Sequence, residues 1–126
     1  MVSSRGEAAV EAALATLAGC GAGKAAGYAA DVANPADARN LWDRAVATFG
    51  SVDIWINNAG ITNRKAPFAD LADEQIASVI ATNINGVMNC CKVAIAGMLT
   101  QGRGTIFNME GFGSDGLTDA GMSVYG

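Results

Sequence analysis

Apolar positions in this chain follow two rhythms, short apolar runs bounded by turn residues and longer stretches repeating every three or four residues. Met1 to Ser4 reads as the tail of a strand. Glu7 to Ala18 follows at helical period, with Val10, Leu14 and Leu17 on one face. The glycine-rich turn Gly19-Cys20-Gly21-Ala22-Gly23-Lys24 closes it. Gly27 to Val32 is a second strand, ending on Asp31-Val32. Asn34-Pro35-Ala36-Asp37 opens the next helix, with a capping amide, a proline in the first turn and an acid near the positive end of the dipole. Its inner face carries Leu41, Trp42, Ala45, Val46 and Phe49, and Gly50 stops it before the strand Val52–Ile56. After a loop from Ile61 to Leu71, a long helix starts near Asp73 with Ile76, Val79, Ile80 and Val87 facing inward. Gly102 and Gly104 end it, and Thr105 to Met109 is a further strand. Strands alternating with helices predict an α/β fold, a doubly wound parallel sheet in a three-layer α/β/α arrangement, of which residues 1–126 form one partial domain.

Bulk composition narrows the chemistry. A formal charge of −4 excludes a basic nucleic-acid surface and a polybasic membrane anchor. With no histidine in 126 residues, imidazole ligands and His-based triads are ruled out within the chain. Cys20, Cys90 and Cys91 suit reduced thiols better than a disulfide framework or a metal site, since no further ligands stand at suitable spacing. The apolar stretch from Val87 to Leu99 contains Lys92 and falls short of a membrane span.

The strand Val52–Ile56 runs directly into Asn57-Asn58-Ala59-Gly60. A buried strand that stops in two amides, a small residue and a glycine opens a cleft. The amides can bond backbone across it, and the glycine lets a ligand approach the main chain. In open α/β sheets ligands bind beyond the carboxyl ends of the strands. Two other glycine clusters imitate phosphate loops. Gly19 to Ala25 has its glycines one position short and no Ser or Thr after Lys24, and Gly111 to Gly116 follows a strand but opens no helix. Both read as connectors.

The strand followed by NNAG, together with Asp31-Val32, Asn83 within Thr82-Asn83-Ile84-Asn85-Gly86, and Tyr125, resembles the short-chain dehydrogenase/reductase family. The resemblance covers all 126 residues and implies a Rossmann-like, dinucleotide-binding domain. It places Asn57, Ala59 and Gly60 along the cofactor, and Asp31, with Val32 beside it, at the adenine amino group. A strand-end Asp that caps the Asn34 turn is the structural alternative. Where NAD-specific relatives carry a carboxylate for the ribose hydroxyls, this chain has Ser4 followed by Arg5. An arginine pairs with a phosphate, which implies NADP(H). Asn83 and Gly86 sit within a helix at a cost of roughly 0.5–1 kcal/mol each relative to alanine, and in the family the matching Asn bends the helix around a water linked to the catalytic lysine. Tyr125 is the implied proton donor. The lysine expected four residues after it lies beyond Gly126, and the first strand and pyrophosphate loop are expected before Met1. On those grounds the 126 residues alone are expected to bind cofactor weakly and turn over little.

The family's carbonyl-polarising serine has no match in Asn108-Met109-Glu110-Gly111, and Ser114 is the nearest substitute. Ser123 stands too close to the tyrosine. From Cys90-Cys91-Lys92 through Arg103-Gly104-Thr105-Ile106-Phe107-Asn108-Met109 and Gly113-Ser114-Asp115-Gly116 to Tyr125-Gly126, the chain is most similar to the chlorophyll(ide) b reductase branch of plants and green algae. That similarity implies reduction of the C7 formyl group of chlorophyll(ide) b to a hydroxymethyl, with Ile61, Phe68 and Phe112 as candidate apolar contacts for a flat pigment. It further implies a chloroplast location at the thylakoid, with the cytoplasm as the alternative, and a homo- or hetero-oligomer. Two other functions fit the same residues, a general NADP(H) carbonyl or alcohol oxidoreductase and a non-catalytic relative kept as an interaction partner.

Overall fold

The computed structural model describes residues 1–21, 23–111, 120–122 and 124. Strand β1 (Val2–Ser4) leads through α1 (Glu7–Gly19) to β2 (Gly27–Ala29), then α2 (Pro35–Phe49) and β3 (Ile54–Asn57). The long helix comprises α3 (Asp73–Ile80), a π-helical segment (Ala81–Gly86) and α4 (Val87–Gln101), and β4 (Thr105–Asn108) follows. β1 pairs in parallel with β2, Ser3 opposite Tyr28, and β3 pairs in parallel with β4, Trp55 opposite Ile106. Each pair is joined through a helix, as parallel strands require. The result is a partial Rossmann-like α/β layer, built among the described residues as two two-stranded parallel sheets.

Strand boundaries moved by a few residues from the sequence reading. β2 stops at Ala29 because the chain turns at Asp31–Asn34, although Ala30 N–H still donates to Ser4 C=O (2.9 Å). β3 starts at Ile54 and takes in Asn57, which the sequence reading assigned to the loop.

The core forms where β3 meets α2 and α4. Ala30, Ala38, Leu41, Trp55, Cys90, Ala94 and Met98 are buried together there. On the long helix the buried stripe runs Val79, Thr82, Gly86, Cys90, Ala94, Met98, a spacing of three and four that keeps one face on the sheet. Ile80 was expected on that face and is 42% exposed instead, since it falls one position beyond Val79 and so points away. The 29-residue helical run Asp73–Gln101 is long and apolar enough to cross a membrane by length and composition, which corrects the shorter span read from sequence. Its buried stripe packs one face of it against the rest of the α/β layer.

As the sequence predicts, Asn34 caps α2 by accepting from Ala36 N–H (2.9 Å), with Pro35 in the first turn. At the amino ends of β3 and β4, Gln101 donates to Val52 C=O (2.7 Å) and Arg103 pairs with Asp53 (2.7 Å). That ion pair is exposed and contributes little by itself.

Gly97 brings α4 against Trp42 of α2. A Cβ there would enter the Trp42 ring, which already leans on Trp55 at 5.8 Å between centroids. Gly97→Ala should therefore destabilise the fold by about 1–2 kcal/mol, overpacking outweighing a gain in helix propensity of about 1 kcal/mol. Gly19→Ala, with open space around its Cβ, should be neutral or stabilising. Denaturant unfolding of the two variants reads the difference, and a Gly97→Ala chain as stable as the parent would contradict the packing.

Candidate active site

Three strand ends point the same way. β1 ends in Ser4 followed by Arg5, beyond β2 lie Asp31 and Val32, and β3 ends in Asn57 followed by Asn58, Ala59 and Gly60. Arg5, Val32, Asn57, Asn58, Ala59 and Gly60 all line one cavity of about 740 Å³. The cavity is bordered by β1 on one side and β3 on the other. It runs the length of β3, with Leu41, Ala45, Phe49 and Cys90 among its apolar lining and Ser3, Ser4, Arg5, Ser51, Asp53, Asn57 and Asn58 among its polar lining.

Asn57 does not bond backbone across the cleft through its side chain, as the sequence reading expected. Its Oδ1 accepts from Trp55 Nε1 (2.8 Å), and its Nδ2 donates to Asn108 Oδ1 (2.8 Å) and Cys91 Sγ (3.3 Å). The reason is the strand's period of two, which puts Trp55 and Asn57 on the same face, toward α4. Asn57 thus locks the ends of β3 and β4 together, and its main chain leads into Asn58 and Gly60 at the cavity.

Asn83 lies behind the cavity wall. Its Oδ1 accepts from Ile61 N–H and its Nδ2 donates to Ile61 C=O, both at 2.9 Å. One amide thereby satisfies both polar groups of a residue that has left regular structure. The segment around Asn83, Ala81–Gly86, is π-helical, and such segments are frequent at functional sites. Gly86, in the same segment, allows Val32 against the helix; a Cβ there would stand 2.7 Å from Val32 Cγ2. Asn89 donates to Val32 C=O (3.0 Å) and Ala33 C=O (3.3 Å), fixing the turn after β2. Sequence reading missed Asn89, and the available signal was another amide inside an apolar helix, six positions after Asn83.

Asp31 stands at the end of this group without lining the cavity. Its Oδ1 accepts from Ala33 N–H (3.0 Å), and its backbone N–H donates to Asp37 Oδ2 (2.9 Å). The first is the capping role, the carboxylate holding the turn that leads to Asn34. Burial and the neighbouring Cys91 push the Cys90 thiol up to about 11, so Cys90 is a protonated core residue at neutral pH. Among the described residues no group of His, Cys, Asp or Glu could hold a metal ion. Tyr125, Ser114 and Phe112 lie outside the described residues. Of the other two pigment contacts, Ile61 is half-buried on the cavity wall and Phe68 is largely exposed away from it.

The residues present fit a dinucleotide. Arg5, a cation, follows β1, and Val32 and Asn57–Gly60 line the same cavity as this cation, with Asn58, Ala59 and Gly60 exposed.

Comparison with known proteins agrees with this geometry. The family described as short chain dehydrogenase matches residues 1–126. A probable chlorophyll(ide) b reductase of Oryza sativa subsp. japonica is 38% identical over 104 residues, 82% of this chain and 21% of that protein. A chlorophyll(ide) b reductase of Arabidopsis thaliana is 41% identical over 102 residues, 79% of this chain and 29% of that protein. Among solved structures, an actinorhodin polyketide ketoreductase with NADPH superposes with a TM-score of 0.89 at 32% identity, and an NAD+-bound xylitol dehydrogenase with 0.89 at 28%. Each superposition covers 98% of this chain, and 47% and 46% of the respective structures. The chain thus spans under a third of those curated relatives and about half of those structures.

Proposed function

The chain belongs to the short-chain dehydrogenase family, and from that membership we propose that it forms part of an NADP(H)-dependent oxidoreductase that reduces a carbonyl group, the C7 formyl of chlorophyll(ide) b. One observation carries the nucleotide part: Arg5, Val32 and Asn57–Gly60, from three different strand ends, line the same cavity. The similarity to two chlorophyll(ide) b reductases supports the pigment as substrate.

Bound at this wall, the reduced nicotinamide supplies the hydride. Residues of the chain do the rest. Arg5 holds the 2′-phosphate and Asp31 the adenine amino group, while Val32, Ala59 and Gly60 give close backbone approach. Asn83 keeps Ile61 and the Asn57–Gly60 turn in place. Tyr125 gives its phenolic proton to the carbonyl oxygen, and Ser114 donates a hydrogen bond to the same oxygen as negative charge develops. Residues 1–126 are part of a single dinucleotide-binding domain in this reading. The relatives' names carry the chloroplast, which we propose for this chain at the thylakoid. Ile80, Ile84, Met88, Ile95 and Leu99 form an exposed apolar stripe on the long helix, which supports an oligomer.

Two experiments test the reading. Chlorophyllide b and NADPH supplied to the protein at its full natural length should shift the pigment spectrum toward the hydroxymethyl product. An unchanged spectrum with turnover of simple ketones would favour a general carbonyl reductase. Arg5→Glu should lower the preference for NADPH over NADH by about 10- to 100-fold, because a carboxylate replaces a charge-assisted phosphate bond of about 1.5–3 kcal/mol. The ratio of kcat/KM for the two cofactors reads this, and a ratio unchanged by the substitution would remove Arg5 from the site.

A further inference from the structure

Asn63 is an amide buried in a loop, at 5% exposure, and nothing in the chemistry above uses it. Its Nδ2 donates to two carbonyls, Arg64 C=O at 2.9 Å and Gly121 C=O at 3.1 Å. Two carbonyl acceptors fix which way the amide faces, since only the NH2 end can meet both. Its Oδ1 is left buried with no hydrogen-bond partner. An apolar residue would avoid that cost, so the side chain is not explained by core packing.

The second acceptor is the informative one. Gly121 lies 58 positions away in sequence and four residues before Tyr125. The same carbonyl also accepts from Ala66 N–H at 3.1 Å. A Cβ on Gly121 would run into the Lys65 stem, so the two segments are pressed together there. At the other end of this loop, Asn83 grips both polar groups of Ile61. Residues 61–66 therefore form a strap with two fastenings, one to the π-helical segment beside the cavity wall and one to Gly121.

We infer that Asn63 is a positioning residue for proton delivery, which acts by holding Gly121 C=O, four residues before Tyr125 in sequence. The inference rests on Tyr125 being the proton donor in the function proposed above. It acts through the backbone, without touching substrate or cofactor. Losing it should slow proton delivery and leave nucleotide binding alone, because Arg5, Val32 and Asn57–Gly60 are unchanged.

The test compares Asn63→Ala and Asn63→Asp with the parent at full natural length. Asn63→Ala should lower kcat about tenfold, keep NADPH affinity within twofold, and speed amide hydrogen exchange at Ala66. Asn63→Asp should behave likewise at pH 8. As pH falls toward 6 its kcat relative to the parent should recover, because a protonated carboxyl regains one donor for Gly121 C=O, whereas the alanine ratio stays flat. A kcat unchanged in both variants, or a tenfold loss with NADPH affinity falling in parallel, would overturn the inference. If the parent shows no nicotinamide-dependent turnover, the functional reading fails and exchange decides the strap by itself. Faster exchange at Ala66 in Asn63→Ala then supports the fastening, and unchanged exchange overturns it.

Discussion

Replacing Trp55 by alanine is expected to cost about 3–5 kcal/mol of stability, a large share of the margin of about 5–15 kcal/mol that holds a domain folded. The indole is the largest side chain of the core, only 8% exposed and packed among Leu41, Cys90, Ala94 and Met98. Its neighbours are helical residues held by their own turns, so they cannot collapse into the space. Trp55 also donates from Nε1 to Asn57 Oδ1, and through Asn57 to the pairing with Asn108. Truncation thus loosens the end of β3 where the cavity begins. Trp55→Phe separates the two effects, since it keeps most of the volume and removes the donor. That variant should lose about 1–2 kcal/mol. Urea unfolding followed by circular dichroism reads both, and a loss below about 1 kcal/mol for the alanine variant would mean the core has been misplaced.

Tyr125→Phe is expected to lower kcat by about 10²- to 10⁴-fold, the range usual for removing a general acid. A phenol ordinarily titrates near pH 10, so it is a useful proton donor at neutral pH only beside a cation that stabilises the phenolate. The substitution removes one oxygen and leaves the ring. NADPH affinity should accordingly stay within a few-fold of the parent. Steady-state kinetics and cofactor fluorescence measure the two quantities on one preparation. A phenylalanine variant with more than a tenth of the parent's kcat would assign proton transfer to another group.

Much of this was legible in the sequence, and the reasons are local. Asn34-Pro35-Ala36-Asp37 carries its own capping chemistry, so the start of α2 followed from four residues. The NNAG turn and the misplaced Asn83 were visible as violations, polar or flexible residues where an apolar strand or helix would be simpler. What could not be read were partners distant in sequence. That Asn83 holds Ile61, that Asn57 turns toward Asn108, and that Asn63 meets Gly121 depend on pairings across 22, 51 and 58 positions. Periodicity also misjudged Ile80, because the buried stripe passes through its neighbour Val79. The π-helical segment shifts the phase of the long helix immediately afterwards, and a fixed period of 3.6 cannot anticipate that.

The cleft itself is tested most directly by titrating the isotopically labelled full-length protein with NADPH and following its amide resonances. Saturable shifts at Val32, Ala59, Gly60 and Ile61 in one binding event, weaker with NADH, are what the account predicts. Saturation with shifts confined to other parts of the chain, or no change up to millimolar NADPH, would contradict it.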